Sequence, residues 1–164
     1  MIIPKELKLY NARNLSEIPQ FKNLSEELKS GIDIVSHVLP FRTNNYVVEE
    51  LIDWSNIPDD PIFQLTFPQK DMLMPLFFEL MENTLNNNPS PENIRNTADH
   101  IRHCLNPHPA GQLTANVPVF NEKLIKGVQH KYKETVLIFP SAGQTCHAYC
   151  TFCFRWAQFV GIDD

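Results

Sequence analysis

The sequence predicts a mainly α-helical N-terminal region, residues 1–133, leading into the first strand of a parallel α/β sheet and the loop that leaves it, residues 134–164. Three observations carry this expectation. Apolar residues at helical spacing, punctuated by capping residues and prolines, run through most of the chain. At Glu134 the pattern changes, and "TVLIF" follows, a continuous apolar run rich in β-branched residues and bounded by Pro140 and Gly143. Such a run is the profile of a strand buried on both faces. Directly after it, Cys146, Cys150 and Cys153 arrive in C-x3-C-x2-C spacing.

Taken in order, "LSEELKSGIDIVSHVL" sets Leu24, Leu28, Ile32, Val35 and Leu39 on one helical face, and Pro40 stops the helix. A second, short helix is predicted over "NNYVVEELIDW", with Thr43 as its N-cap. "SNIPDDPIFQLTFPQ" holds three prolines and reads as an ordered, extended connection. Its adjacent Asp59 and Asp60 read as turn formers and caps rather than as an acid–base pair. A third helix is predicted over "DMLMPLFFELMENTLN", with Pro75 ending or kinking its first turn. Its apolar stripe belongs to the core or to a face that further sheet would cover. Ser90 as N-cap, Pro91 at the first helical position and Glu92 in the first turn start a fourth helix, which runs to about Cys104. "NPHPAGQLTANVPVF" has low helical propensity and reads as a loop.

A chain of 164 residues suits one domain with a sizeable core, or one part of a larger enzyme. With 43% hydrophobic and 20% charged residues, its composition is that of a soluble globular protein. The formal net charge of −5 and the lack of a Lys/Arg-rich run argue against nucleic acid and anionic membrane as partners. "MIIPKELKLY" carries charges where a signal peptide needs an apolar segment. The longest apolar stretch, "MLMPLFFELM", is about half a membrane span and contains Glu79. The chain therefore reads as cytoplasmic, where thiols stay reduced and clustered cysteines point to metal or redox chemistry.

Three thiolates so close together can grip one metal centre. Structural zinc usually takes two pairs of ligands a dozen or more residues apart, whereas here a single group of three stands without an equally good fourth. A cubane iron–sulfur cluster held by three cysteines leaves one iron open, which suits catalysis. The alternative is a stand-alone structural zinc or interaction module, its fourth ligand being His147 or a histidine of "HIRHC". In that second stretch His100 and Cys104 share a helical face at i, i+4, with His103 and His108 nearby in sequence. The spacing predicts no metal role for them and a buried, apolar role for Cys104.

"CHAYCTFC" fits the C-x3-C-x-aromatic-C signature of radical S-adenosylmethionine enzymes, with Phe152 as the aromatic. Its flanks resemble the lysine 2,3-aminomutase family. "IPDDPIFQLTFPQ" is similar to that family's Asp-Pro-rich segment, and "NPHPAGQLTANVPVFNEKLIKGVQHKYKETVLIF" to its approach to the first barrel strand. Arg155 and Gly161 stand where basic residues and a glycine follow the third cysteine. "FRWAQF" has one arginine where the better-known lysine enzymes have several, which leaves the substrate open between a free amino acid and a protein-bound lysine.

The resemblance implies an incomplete α/β barrel of the radical S-adenosylmethionine, partial TIM type. It implies that Cys146, Cys150 and Cys153 each bind one iron of a [4Fe–4S] cluster whose fourth iron takes S-adenosylmethionine. A 5′-deoxyadenosyl radical would then start amino-group migration, with pyridoxal phosphate as a second cofactor and an external electron donor to the cluster. Phe152 would pack beside the adenine or the cluster, and Arg155 would stabilise the negative thiolates. The remaining strands and the pyridoxal-phosphate lysine lie downstream in relatives, and no lysine here can be assigned that role. The chain by itself is therefore expected to have a folded helical part, a poorly held C-terminal tail and little turnover, its partner being the missing C-terminal portion or a second copy.

Overall fold

The computed structural model describes residues 6–87, 89–105, 116–138 and 148–149. They fall into two compact units, one formed by 6–87, 89–105 and 148–149, the other by 116–138. No described helix is long and apolar enough to cross a membrane.

The larger unit opens with Leu9–Asn11 (β1), followed by two single 3-10 turns, Leu15–Glu17 and Gln20–Asn23, that turn Leu15 and Ile18 inward. Helix Glu26–Val38 (α1) begins where Ser25 Oγ accepts from Leu28 N at 3.2 Å, with Glu26 and Glu27 favourably placed in the first turn. It ends as the sequence predicts, just before Pro40, with Leu39 N donating to Val35 O at 2.8 Å. Ile32 and Val35 are buried as expected, and so are Ile34 and Val38, because helices cover α1 on more than one side.

Arg42–Asn44 (β2) pairs antiparallel with β1, Tyr10 opposite Thr43. This pairing turns Thr43 into the core, where it is fully buried, so Thr43 is not the cap that its position suggested. Asn44 takes the role instead, its Oδ1 accepting from Val47 N at 3.0 Å. The turn that follows, Val47–Leu51, is wound wide, with Ile52 N reaching Val47 O at 3.1 Å. Buried Asn45 ties the N-terminal segment to it, donating to Glu6 O and accepting from Lys8 N, each at 3.0 Å.

The stretch expected to be an extended connection contains a helix, Pro61–Thr66 (α2). At six residues it is too short to show a periodic pattern, yet Asp60-Pro61 is a start signal in its own right. Asp60 Oδ1 accepts from Phe63 N at 2.7 Å, and Oδ2 accepts from Asp53 N at 3.2 Å. Replacing Asp60 by alanine removes both acceptors from a buried position. We expect Asp60→Ala to lower stability by about 1–3 kcal/mol in urea unfolding, and Asp60→Asn to lose less than half of that.

Pro75 separates a 3-10 turn, Lys70–Met72, from helix Pro75–Asn87 (α3), which it opens rather than kinks. Helix Pro91–Leu105 (α4) starts as predicted, Ser90 Oγ accepting from Asn93 N at 3.1 Å. α3 and α4 pack on each other and on α1, burying Phe78, Met81, Ala98 and Ile101. Arg102 stretches back from α4 to the end of α1. Its Nε and Nη2 donate to Val38 O and His37 O at 2.8 and 3.2 Å, satisfying carbonyls that α1 leaves open. The stripe of "MLMPLFFELM" is only partly core, for Met74, Leu76 and Leu80 remain exposed.

An aromatic cluster centres this unit. Phe63 stacks on Phe67 with ring centroids 4.8 Å apart, Trp54 meets both edge-on at 5.9 Å, and Phe41 lies 5.0 Å from Phe67. Trp54 Nε1 donates to Val48 O at 2.7 Å, so the one polar group of the indole is satisfied.

The described residues of the smaller unit form two hairpins. Val119–Phe120 (β3) pairs with Lys123–Leu124 (β4) across Asn121 and Glu122, both in the left-handed conformation that a two-residue hairpin turn requires. Val128–Tyr132 (β5) pairs with Thr135–Ile138 (β6). The predicted strand is therefore present as β6, but it is antiparallel and exposed, with Ile138 70% accessible, rather than parallel and buried. Pairing with the strand just before it in sequence needs only a tight turn, whereas a parallel partner needs a long crossover.

Candidate functional site

The predicted metal ligands Cys146, Cys150 and Cys153, together with Phe152, Arg155 and Gly161, lie outside the described residues, as do His147, His108 and the expected poorly held tail. Two residues between the first and second cysteines are described, Ala148 and Tyr149, and both belong to the helical unit. Tyr149 N donates to Leu65 O at 2.9 Å, and Tyr149 Oη donates to Pro40 O at 3.0 Å. The residue just ahead of the second cysteine is thus fixed through both its main chain and its side chain.

The two acceptors follow from how the chain folds there. Leu65 is in the last turn of α2, where carbonyls have no intrahelical partner. Pro40 is the residue that stops α1, ahead of β2. Each is close in sequence to a core ring, Phe41 after Pro40 and Phe67 two residues after Leu65, and those rings contact each other. The helical unit therefore presents two carbonyls, each near an aromatic core residue in sequence, to Tyr149. Sequence reasoning passed over Tyr149. Its signal was a hydroxyl-bearing aromatic between two cysteines, but the partners are backbone atoms that no sequence pattern marks.

Of the second constellation, His100, His103 and Cys104 are described. His100 Nε2 and Cys104 Sγ are 3.8 Å apart on α4, but Cys104 is exposed rather than buried as expected, because the buried stripe of that helix ends at Ile101. His103 Nδ1 is engaged with Asp99 O at 2.6 Å. Among the described residues no group of three or more His, Cys, Asp or Glu side chains could hold a metal ion. Asp60 is a cap, as the sequence implied, and Asp59 is exposed.

Among the described residues, two titratable groups are shifted by local contacts. Hydrogen bonds from the Ser55 hydroxyl and amide hold the Asp53 carboxyl below its ordinary range. The Glu17 carboxylate, 3.0 Å away, raises Lys8. Both contacts stabilise turns, and neither makes an acid or base suited to chemistry near neutral pH.

Three cysteines in C-x3-C-x2-C spacing offer the soft sulfur donors that an iron–sulfur cluster takes. No lysine of this sequence stands in a motif that assigns it to pyridoxal phosphate.

No protein-family profile and no solved structure matches the chain. It is 27% identical over 164 residues to a protein of Aquifex aeolicus (strain VF5) named "Putative L-lysine 2,3-aminomutase". That alignment takes in 98% of this chain and 31% of the relative, so the chain spans about a third of the length of the curated protein it matches. Likeness at this level supports a distant relationship between this chain and the lysine 2,3-aminomutase family.

Proposed function

We propose that this chain is the cluster-holding N-terminal portion of a radical S-adenosylmethionine enzyme of the aminomutase type. The observation that carries the reading is the C-x3-C-x-aromatic-C spacing of Cys146, Cys150, Phe152 and Cys153. The distant likeness to a lysine 2,3-aminomutase supports it. When bound, the reduced cluster and S-adenosylmethionine supply a 5′-deoxyadenosyl radical that abstracts hydrogen from substrate. In this reading the cysteines bind the metal as thiolates, and Arg155 offsets part of their negative charge. Phe152 contributes an apolar ring that excludes water from the sulfur ligands. Tyr149, between the first two cysteines, is bonded to the helical unit. The substrate is an amino acid or a protein-bound lysine, and a separate reductant delivers the electron.

Anaerobic reconstitution with iron and sulfide tests this reading. We expect a brown protein with about four irons per chain. Its low-temperature EPR signal, after reduction, should change on addition of S-adenosylmethionine. A protein that stays colourless and takes up a single zinc tightly would sink the proposal.

A further inference from the structure

We propose that His100 and Cys104 on α4 form a surface clip for a divalent cation of the zinc class. The imidazole Nε2 and the thiol Sγ are 3.8 Å apart. Two ligands of tetrahedral zinc, with Zn–N of about 2.0–2.1 Å and Zn–S of about 2.3 Å, are separated by about 3.6 Å. An ion therefore fits between the two atoms with only a small movement of either side chain. Both residues are exposed, so the ion reaches them directly from solvent. The clip uses no residue of the cysteine loop and stands or falls apart from the radical-enzyme reading.

The helix holds the spacing, since residues four apart lie on one face a single turn from each other. Ala98 and Ile101 are buried where α4 packs on α1 and α3, and Arg102 ties α4 to Val38 O and His37 O at the end of α1. These contacts fix the rotation of α4 and leave His100 and Cys104 on its outer side. The donor atoms select the ion. Imidazole nitrogen and thiolate sulfur suit zinc and its neighbours, whereas magnesium and calcium need oxygen. The adjacent carboxylate, Asp99, is engaged by Arg102 Nη1 at 2.9 Å, and His103 Nδ1 by Asp99 O at 2.6 Å. Among the described residues no third donor side chain joins the pair. Water fills the remaining positions of the ion, which is therefore held exchangeably. Binding releases the thiol proton to solvent as the metal takes its place on sulfur. Iron(II) stands near the weak end of the divalent order, so the clip holds little iron.

The test is alkylation of Cys104 by iodoacetamide in the full chain, read cysteine by cysteine through peptide mass spectrometry. Site-resolved reading separates Cys104 from the loop thiols, which need not be altered. Micromolar zinc in excess over the chain's thiols should slow the reaction at Cys104 by at least about tenfold, because metal-bound sulfur is a poorer nucleophile than the free thiolate. His100→Ala should raise the zinc concentration needed for half-protection about 10-fold or more, and His100→Gln should do the same. Both variants change an exposed helical position, and far-ultraviolet circular dichroism checks that the fold is kept. His103→Ala should leave the zinc dependence unchanged within about twofold, since His103 Nδ1 is turned back to its own helix. Magnesium at the same concentration should give no protection.

Zinc that leaves Cys104 as reactive as in its absence would overturn the clip. So would protection that survives both His100 substitutions, which would make the thiol alone the site. Equal loss of protection in His103→Ala, or equal protection by magnesium, would overturn it as well. Protection that depends on His100 and not on His103, beside failed iron reconstitution, would refute the radical enzyme and leave the clip standing.

Discussion

Phe63→Ala is expected to destabilise the helical unit by roughly 3–5 kcal/mol, the largest single effect on its fold. The ring is completely buried, stacks on Phe67 at 4.8 Å and receives the edge of Trp54 at 5.9 Å. Its removal takes away buried apolar area and leaves a void among rigid rings that cannot close around it. Against a total stability of about 5–15 kcal/mol, a loss of this size leaves a substantial fraction unfolded on mild heating. The measurement is urea unfolding followed by far-ultraviolet circular dichroism, with Leu76→Ala for comparison. Leu76 is 66% exposed on α3, and its truncation should change stability by less than about 0.5 kcal/mol. A Phe63→Ala loss below about 1 kcal/mol would mean that the aromatic cluster is not the centre of this unit. The effect should also reach Tyr149, because Phe63 lies in the helix whose last turn offers it Leu65 O.

Legibility of the fold followed the strength of local signals. Ser90-Pro91 marked the start of α4 and Pro40 the end of α1, because each is a backbone constraint that acts without tertiary help. α2 was hidden because one and a half turns give no periodicity, and its Asp-Pro start was absorbed into a proline-rich stretch. Thr43 and Asn44 are both competent caps, and only the pairing of β2 with β1, a long-range event, decides which faces the core. β3 and β4 are two residues long, too short for alternation to register. "TVLIF" was legible as a strand but not in its pairing, since an apolar run reports what a strand could bury and not which partner is at hand. At the site, cysteine spacing is a property of sequence and was readable. The docking of Tyr149 was not, because its acceptors are main-chain oxygens of two segments far away in the chain.

The largest expected effect on function comes from the cysteines themselves. Cys150→Ala should leave less than about a tenth of the parent's iron after anaerobic reconstitution. Disturbing even an outer partner of a metal ligand weakens binding about 10- to 100-fold, and deleting the ligand removes a thiolate–metal bond outright. Cys146→Ala and Cys153→Ala should do the same, because a three-cysteine donor set has no spare sulfur. Cys104→Ser is the internal control. That thiol is exposed on α4, 3.8 Å from His100, so its loss should leave iron content unchanged. The pattern across the four variants matters more than any single value. A zinc site with His147 or a histidine of α4 as fourth ligand would tolerate loss of one cysteine by recruiting another nitrogen donor, with partial retention of metal. A cluster whose open iron is reserved for S-adenosylmethionine has no such substitute. Equal and near-complete loss at Cys146, Cys150 and Cys153, beside full retention at Cys104, is therefore the signature of the proposed centre, and graded retention would refute it.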